Sequence, residues 1–262
     1  MKIKHFLYNC FVIEEGGTKI AIDPGQNLWL FNLRSLIPQS EWSSISHVLV
    51  THGDPDHYWQ ADRIATAANA PLVLNETMVK RKGGKTSILA PRKGGLEYVP
   101  YSGQVIPMRI NETLTINGVQ VETIHTQHGP IQFKVLGKTI RKMSGPNERA
   151  GFGSIGYRMT VGEHTLVNLG DSLLQDEWTD LRPDVLMLPI GGLGNKIWTM
   201  DATEALVAVK TIQPKLVIPC HYNVPFFWTR KMAKADDLAF KRKVEEMGVE
   251  CRIMHDRDTI EL

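Results

Sequence analysis

Cysteine is scarce in this 262-residue chain, and its three copies, Cys10, Cys220 and Cys251, are odd in number and far apart. That excludes a disulfide framework and points to a reducing, cytoplasmic setting. Long apolar runs are missing too: none approaches the ~20 residues of a membrane-spanning helix. No charged-then-apolar leader opens the sequence, so a soluble chain with no membrane partner is expected. Neither sign of charge dominates. Lysine and arginine number 30 against 28 aspartates and glutamates, a net charge of +2, and on that balance nucleic acid is not an expected partner. There is no internal repeat, low-complexity tract or interdomain linker. Residues 1–262 therefore read as one domain, long enough to bury a sizeable core. The oligomeric state stays open, a homo-oligomer included.

What is present is concentrated in one stretch, Val48-Leu49-Val50-Thr51-His52-Gly53-Asp54-Pro55-Asp56-His57. Its apolar start is short, β-branched and bounded by turn residues, as a buried strand is. Gly53 and Pro55 interrupt both a regular strand and an immediate helix. Imidazole nitrogens and carboxylate oxygens on such a turn can converge on one point, and they are ligand types that suit divalent transition metals. The plain alternative is a polar turn with helix-capping aspartates. Two histidines flanking two aspartates outweigh it.

Read in order, Ile3 to Leu7, Phe11 to Glu14 and Lys19 to Ile22 are predicted strands, the last two joined by a turn at Gly16-Gly17. Gln60 to Ala70 is predicted helical and Leu72 to Leu74 a strand, so the layers mix α and β. Met78 to Leu96 reads as a basic, solvated loop, with anion binding as the lesser alternative. Gly84-Lys85-Thr86 imitates the end of a phosphate loop, but Val79 stands where that motif needs glycine. Val105 to Ile116 and Val119 to Ile124 are predicted strands joined at Asn117-Gly118. Gly156 to Val161, Thr165 to Leu169, Asp184 to Leu188 and Leu216 to Ile218 are further strands. Asp201 and Glu204 have capping-box spacing for a helix to Ile212, and a second helix is expected from Met232 to Met247. Gly151-x-Gly153-x-x-Gly156 precedes a strand and is no dinucleotide fingerprint. At five places an apolar strand ends in a metal-competent side chain: Asp23, the turn from His52 to His57, His128, Asp171 and His221. Strand ends in open α/β sheets are where ligands gather.

In that order these residues resemble the metallo-β-lactamase fold superfamily, whose pattern is an early Asp, then H-x-H-x-D-H, then a His, an Asp and a His on separate strand ends. The resemblance spans nearly the whole chain. Ile20 to Pro24, Leu186 to Gly192 and Thr199 through Tyr222 are most similar to the branch containing ascorbate phosphate lactonase and the N-acyl phosphatidylethanolamine phospholipase. It implies a four-layer αββα sandwich and two divalent ions (zinc, manganese or iron). His52, Asp54 and His128 would hold one ion, Asp56, His57 and His221 the other, and Asp171 would bridge. Asp56 and His57 would be the catalytic pair, Asp56 also orienting the attacking water. The second His of the pattern is Asp54 here, and an oxygen ligand shifts that half of the site from zinc towards manganese or iron.

The implied activity is metal-dependent hydrolysis of a small anionic lactone, ester or phosphodiester. The alternatives are a nuclease of the same superfamily, supported only by the basic residues from Lys80 to Lys93, and a metal-poor binding protein. Residues 130–154 lie where this superfamily often inserts a segment facing substrate. Lys134, Lys138, Arg141, Lys142 and Arg149 there suit either an exposed loop or a lid selecting phosphorylated or carboxylated substrates. Arg141, Lys142 and Tyr222 are the substrate-binding candidates. His125 reads as structural, and Tyr8, Trp29 and Trp59 fit either pocket or core.

Overall fold

Period-two alternation organises the strands. Ile13, Ile20, Ile22 and Leu49 face one buried layer, whereas Val12, Ala21, Val48 and Val50 face another, as successive side chains of a strand must. Both faces are covered, so these strands are apolar throughout. The computed structural model describes residues 1–25, 37–92, 95–129, 131–135, 138–143, 151–192, 198–226 and 230–262, with backbone only at 95, 131–135, 138–143, 180, 225, 226 and 230–232.

Two seven-stranded sheets form the centre. The first runs Thr259–Glu261, Lys2–His5, Phe11–Glu15, Thr18–Ile22, His47–Leu49, Leu72–Asn75, Val105–Met108. Its first four strands are antiparallel, and from Thr18–Ile22 onward neighbours are parallel. The second runs Thr113–Ile116, Val119–Ile124, Gly156–Val161, His164–Asn168, Val185–Pro189, Leu216–Cys220, Glu250–Cys251. It repeats the scheme, antiparallel up to His164–Asn168 and parallel beyond.

Between the sheets lies a core that includes Phe11, Ile22, Leu49, Val121, Tyr157, Met159, Leu166, Met187 and Ile218. Tyr157 crosses it to donate to the carbonyls of Val50 (2.8 Å) and Val73 (3.2 Å) in the first sheet. Helices cover the outer faces. After α1 (Pro55–Tyr58), α2 (Ala61–Ala68) sets Ala61, Ile64 and Ala65 on the first sheet. On the second sheet, α3 (Ala202–Ile212) buries Ala205, Ala208, Val209 and Ile212, and α4 (Asp237–Glu246) buries Phe240 and Val244. The result is the four-layer αββα sandwich. Asp201 caps α3 through the N–H groups of Thr203 and Glu204, completing the capping box.

Three expectations change. Val105 to Ile116 is not one strand: Val105–Met108 closes the first sheet and Thr113–Ile116 opens the second. The crossing falls at Arg109 to Glu112, where Arg109 N–H donates to the Glu112 carboxylate at 2.7 Å. The basic run is not a loop but the sheet Val79–Lys82, Lys85–Arg92, Gly95–Pro100, folded because Ile88, Leu89, Ala90 and Leu96 have a core to enter. Its charges are partly used: Arg92 pairs with Asp62 at 2.7 Å, and Lys80 lies 3.6 Å from the centre of the Tyr98 ring. The final helix starts at Asp237, not Met232, because Asp236 caps it by accepting from Ala239 N–H. Among the described residues no helix is long and apolar enough to cross a membrane.

Candidate metal centre

The parallel strands of both sheets run toward one edge, and their C-terminal ends carry the polar residues. Asp23 ends Thr18–Ile22, Thr51 and His52 follow His47–Leu49, Asp171 follows His164–Asn168, and His221 follows Leu216–Cys220. Pro55 opens α1 at its first position, where a missing N–H costs nothing. That turn brings Asp56 and His57 back beside His52.

Three trios of ligand atoms result. His52, Asp54 and His128 form the first and Asp56, His57 and His221 the second, while His52, His57 and Asp171 form a third that joins them; within each, the ligand atoms all lie within 4.8 Å of one another. Asp171 stands between the first two. Its Oδ2 is 3.5 Å from His57 Nε2, 3.3 Å from His221 Nε2 and 3.8 Å from His128 Nε2. Asp54 Oδ2 lies 3.6 Å from His52 Nε2 and 3.7 Å from His128 Nε2, and Asp56 Oδ2 lies 3.3 Å from His221 Nε2. The structure thus assembles every ligand candidate read from the sequence. Asp54 occupies the N-cap position of α1 but makes no capping bond. Its Oδ1 instead accepts from Gly151 N–H at 2.9 Å, leaving Oδ2 for the first trio.

The imidazoles are aimed from behind. Asp23, fully buried, accepts at Oδ2 from His57 Nδ1–H at 2.7 Å, from Thr51 Oγ1–H at 2.6 Å and from Asn9 Nδ2–H at 2.7 Å; its Oδ1 accepts from Thr51 N–H at 2.7 Å. The single Thr51 hydroxyl proton is spent on Asp23, so at 3.1 Å Thr51 Oγ1 accepts from His52 Nδ1–H. His128 Nδ1–H donates to the Gly129 carbonyl at 2.6 Å. In all three rings Nε2 is therefore the nitrogen turned to the centre, the arrangement that outer partners impose on metal-binding histidines. Nε2 of His52 and His57 and Oδ1 of Asp171 are sealed from solvent yet make no hydrogen bond. Buried polar atoms are rarely left so, and borderline imidazole nitrogens with hard carboxylate oxygens gathered this closely fit divalent cations.

Electrostatics agree. Burial works against a charged His57, but the carboxylates of Asp171, Asp23 and Asp56 override it and raise its pKa well above the usual histidine value. Burial likewise opposes ionised Asp171, and the facing His221 and His57 nonetheless hold it below the usual carboxylate range. His221 is raised, against burial, mainly by Asp171. His128 is lowered by burial.

Sequence reading missed the support. Asn9 joins the two sheets: its Nδ2 donates to Asp23 and to Asn168 Oδ1 (2.9 Å), while Asn168 Nδ2 returns a bond to Asn9 Oδ1 at 3.0 Å. A buried Asn in a loop gives no signal of this. Gly151, at φ 61, presses on His128, where an added Cβ would fall 2.3 Å from that residue's Cβ. Only spacing to a neighbour that cannot be read linearly would reveal it. Two expectations fare differently. Tyr222 is not brought to the centre: His221 turns inward at φ 52, which sends the next side chain to the outer core beside Asp237. Arg141 and Lys142 lie on the hairpin Ile131–Val135/Lys138–Met143, and their side chains fall outside the described residues, as do Trp29 and Arg149. His125 is paired with Glu177 at the surface.

Comparison with known proteins bears on the family and the fold. A model of the beta-lactamase superfamily domain matches residues 2–221. A metal-dependent hydrolase of Nanoarchaeum equitans is 28% identical over 267 residues, covering all of both chains. One of Pyrobaculum islandicum is 29% identical over 275 residues with the same full coverage. Among solved structures, a metallo hydrolase of Ignicoccus hospitalis superposes with a TM-score of 0.69 at 24% identity, over 100% of this chain and 98% of that one.

Proposed function

Since this chain belongs to the β-lactamase superfamily and is a metal-dependent hydrolase, we propose that it cleaves a small anionic lactone, ester or phosphodiester at a dinuclear centre. The observation that carries the proposal is the two trios flanking Asp171, whose Oδ2 lies 3.8 Å from His128 Nε2 on one side and 3.3 Å from His221 Nε2 on the other. Bound divalent ions would supply Lewis acidity, making water nucleophilic near neutral pH and stabilising charge on the substrate oxygen.

The chain's own residues do the rest. His52, Asp54 and His128 would hold one ion and Asp56, His57 and His221 the other. Asp23 keeps His57 Nδ1 protonated and its Nε2 directed inward. Asp56 is the most open of the ligand side chains, 25% exposed against 5% or less for His57, Asp171 and His221. It is therefore the carboxylate we assign to orienting the attacking water and taking its proton. Asp54, an oxygen donor where the family pattern has imidazole, favours manganese or iron over zinc in the first trio. Arg141 and Lys142 remain candidates for binding the substrate's anionic group.

Elemental analysis of protein purified without chelators tests the centre, with about two equivalents of metal expected. Turnover of bis(p-nitrophenyl) phosphate, p-nitrophenyl butyrate and a simple lactone then tests the substrate class. Metal-loaded protein inert to all of them would refute it, and absence of metal uptake would refute the centre itself.

A further inference from the structure

Besides the seven ligand candidates, one aromatic residue is locked onto the centre. Tyr8 follows the strand Lys2–His5 and sits at φ 60, a region where residues other than glycine are uncommon. A side chain kept in such a conformation is a pointer to function. Its carbonyl oxygen accepts from His221 N–H at 3.1 Å and faces His5 Nε2 at 3.2 Å. Its ring centre is 5.5 Å from that of His221, tilted by 60°. Val224 and Ala233 pack against it, and only 5% of the residue is exposed. Ring and backbone are thus both fixed against the second trio. The phenolic hydroxyl has no hydrogen-bond partner among the described residues.

The position matters because Asp56 marks the open side. A phenol near neutral pH carries its proton and can donate it in a hydrogen bond. A donor held in place before substrate arrives needs no reorganisation when negative charge develops beside it.

We propose that Tyr8 is a substrate-contacting residue, its phenolic O–H donating a hydrogen bond to the acyl or phosphoryl oxygen that lies against Asp56 and His221. The proposal rests on the hydrolase reading above and adds a specificity element for oxyanionic substrates. A phenol discriminates between an oxygen acceptor and an apolar group at that point, because an unpaired hydroxyl is left when the acceptor is missing.

Tyr8→Phe tests it, since the ring stays and only the hydroxyl goes. Metal content and thermal midpoint should match the parent protein. Binding of inorganic phosphate to the metal-loaded protein, measured by calorimetry, should weaken by about 10- to 100-fold, the loss expected for one hydrogen bond to a charged acceptor. The kcat/KM for bis(p-nitrophenyl) phosphate should fall by a similar factor. Equal phosphate affinity in both proteins, no measurable binding by either included, overturns the proposal. So does loss of a metal equivalent in Tyr8→Phe, which would make Tyr8 a positioning residue for His221. If the parent cleaves none of the model substrates while phosphate affinity still drops in the variant, the substrate reading fails and the Tyr8 contact stands.

Discussion

Asp23→Asn separates what aims the centre from what forms it. Asp23 makes no ligand contact, yet it accepts four hydrogen bonds from His57, Thr51 and Asn9. An amide of the same shape brings one acceptor oxygen and one NH2 group. Whichever way it is turned, the NH2 meets a donor: Thr51 N–H on the Oδ1 side, or His57 and Asn9 on the Oδ2 side. One buried donor left unpaired costs about 1–3 kcal/mol. His57 also loses the full negative charge that raises its basicity. Replacing an outer partner of a metal-binding histidine typically weakens affinity roughly 10- to 100-fold, or about 1.4–2.7 kcal/mol. Competition titration against a chromophoric chelator should show that loss in one of two equivalents, the second trio being the one affected. Thermal melts with and without metal would show a smaller metal-induced rise. Unchanged affinity in a folded variant would refute the account, since geometry without the charge would then suffice.

Other outcomes follow from the same structure. In the metal-free protein the raised pKa values of His57 and His221 stabilise the fold fully below pH 6.5, and this is lost as pH rises through their higher folded values. Metal must displace those protons, so metal affinity should climb with pH above 6.5, with proton release read by calorimetry in buffers of different ionisation enthalpy; a pH-independent affinity would contradict it. Asp54→His restores the imidazole of the family pattern but forfeits the bond from Gly151 N–H. It should shift the first trio toward zinc in metal competition while lowering thermal stability by about 1 kcal/mol, and an unchanged metal preference would refute that. Gly151→Ala places a Cβ 2.3 Å from His128 at φ 61. It should cost about 1–3 kcal/mol and empty the first trio selectively, so full metal content would show that the close approach is not needed.

Much of this was legible because two kinds of signal repeat along the chain. Strands such as Thr18–Ile22 announce themselves by alternation, and their polar terminal residues stand at the positions where the centre forms. The parting of Val105–Met108 from Thr113–Ile116 was not legible, because both segments alternate equally well and only tertiary pairing tells them apart. The basic run from Lys80 hid a small sheet because its charged faces are solvated while a few residues such as Ile88 enter the core. Asp23 could be recognised as belonging to the site from its place after a strand. Its service to His57, and the dependence of both on Asn9, come from contacts between distant segments. The packing of Tyr222 against the outer core was not legible either, because a ligand's neighbour in sequence need not share its side of the chain.

The ligand set straddles the two sheets, with His52, Asp54, Asp56 and His57 on the first side and His128, Asp171 and His221 on the second. The first trio is complete in sequence by residue 128, but Asp171 and His221 emerge later, and the first sheet is closed only by its last strand, Thr259–Glu261. On the proposed reading, full metal loading would wait for the end of translation, since a truncated chain would lack Asp171 and His221. Loading would then report on completed folding.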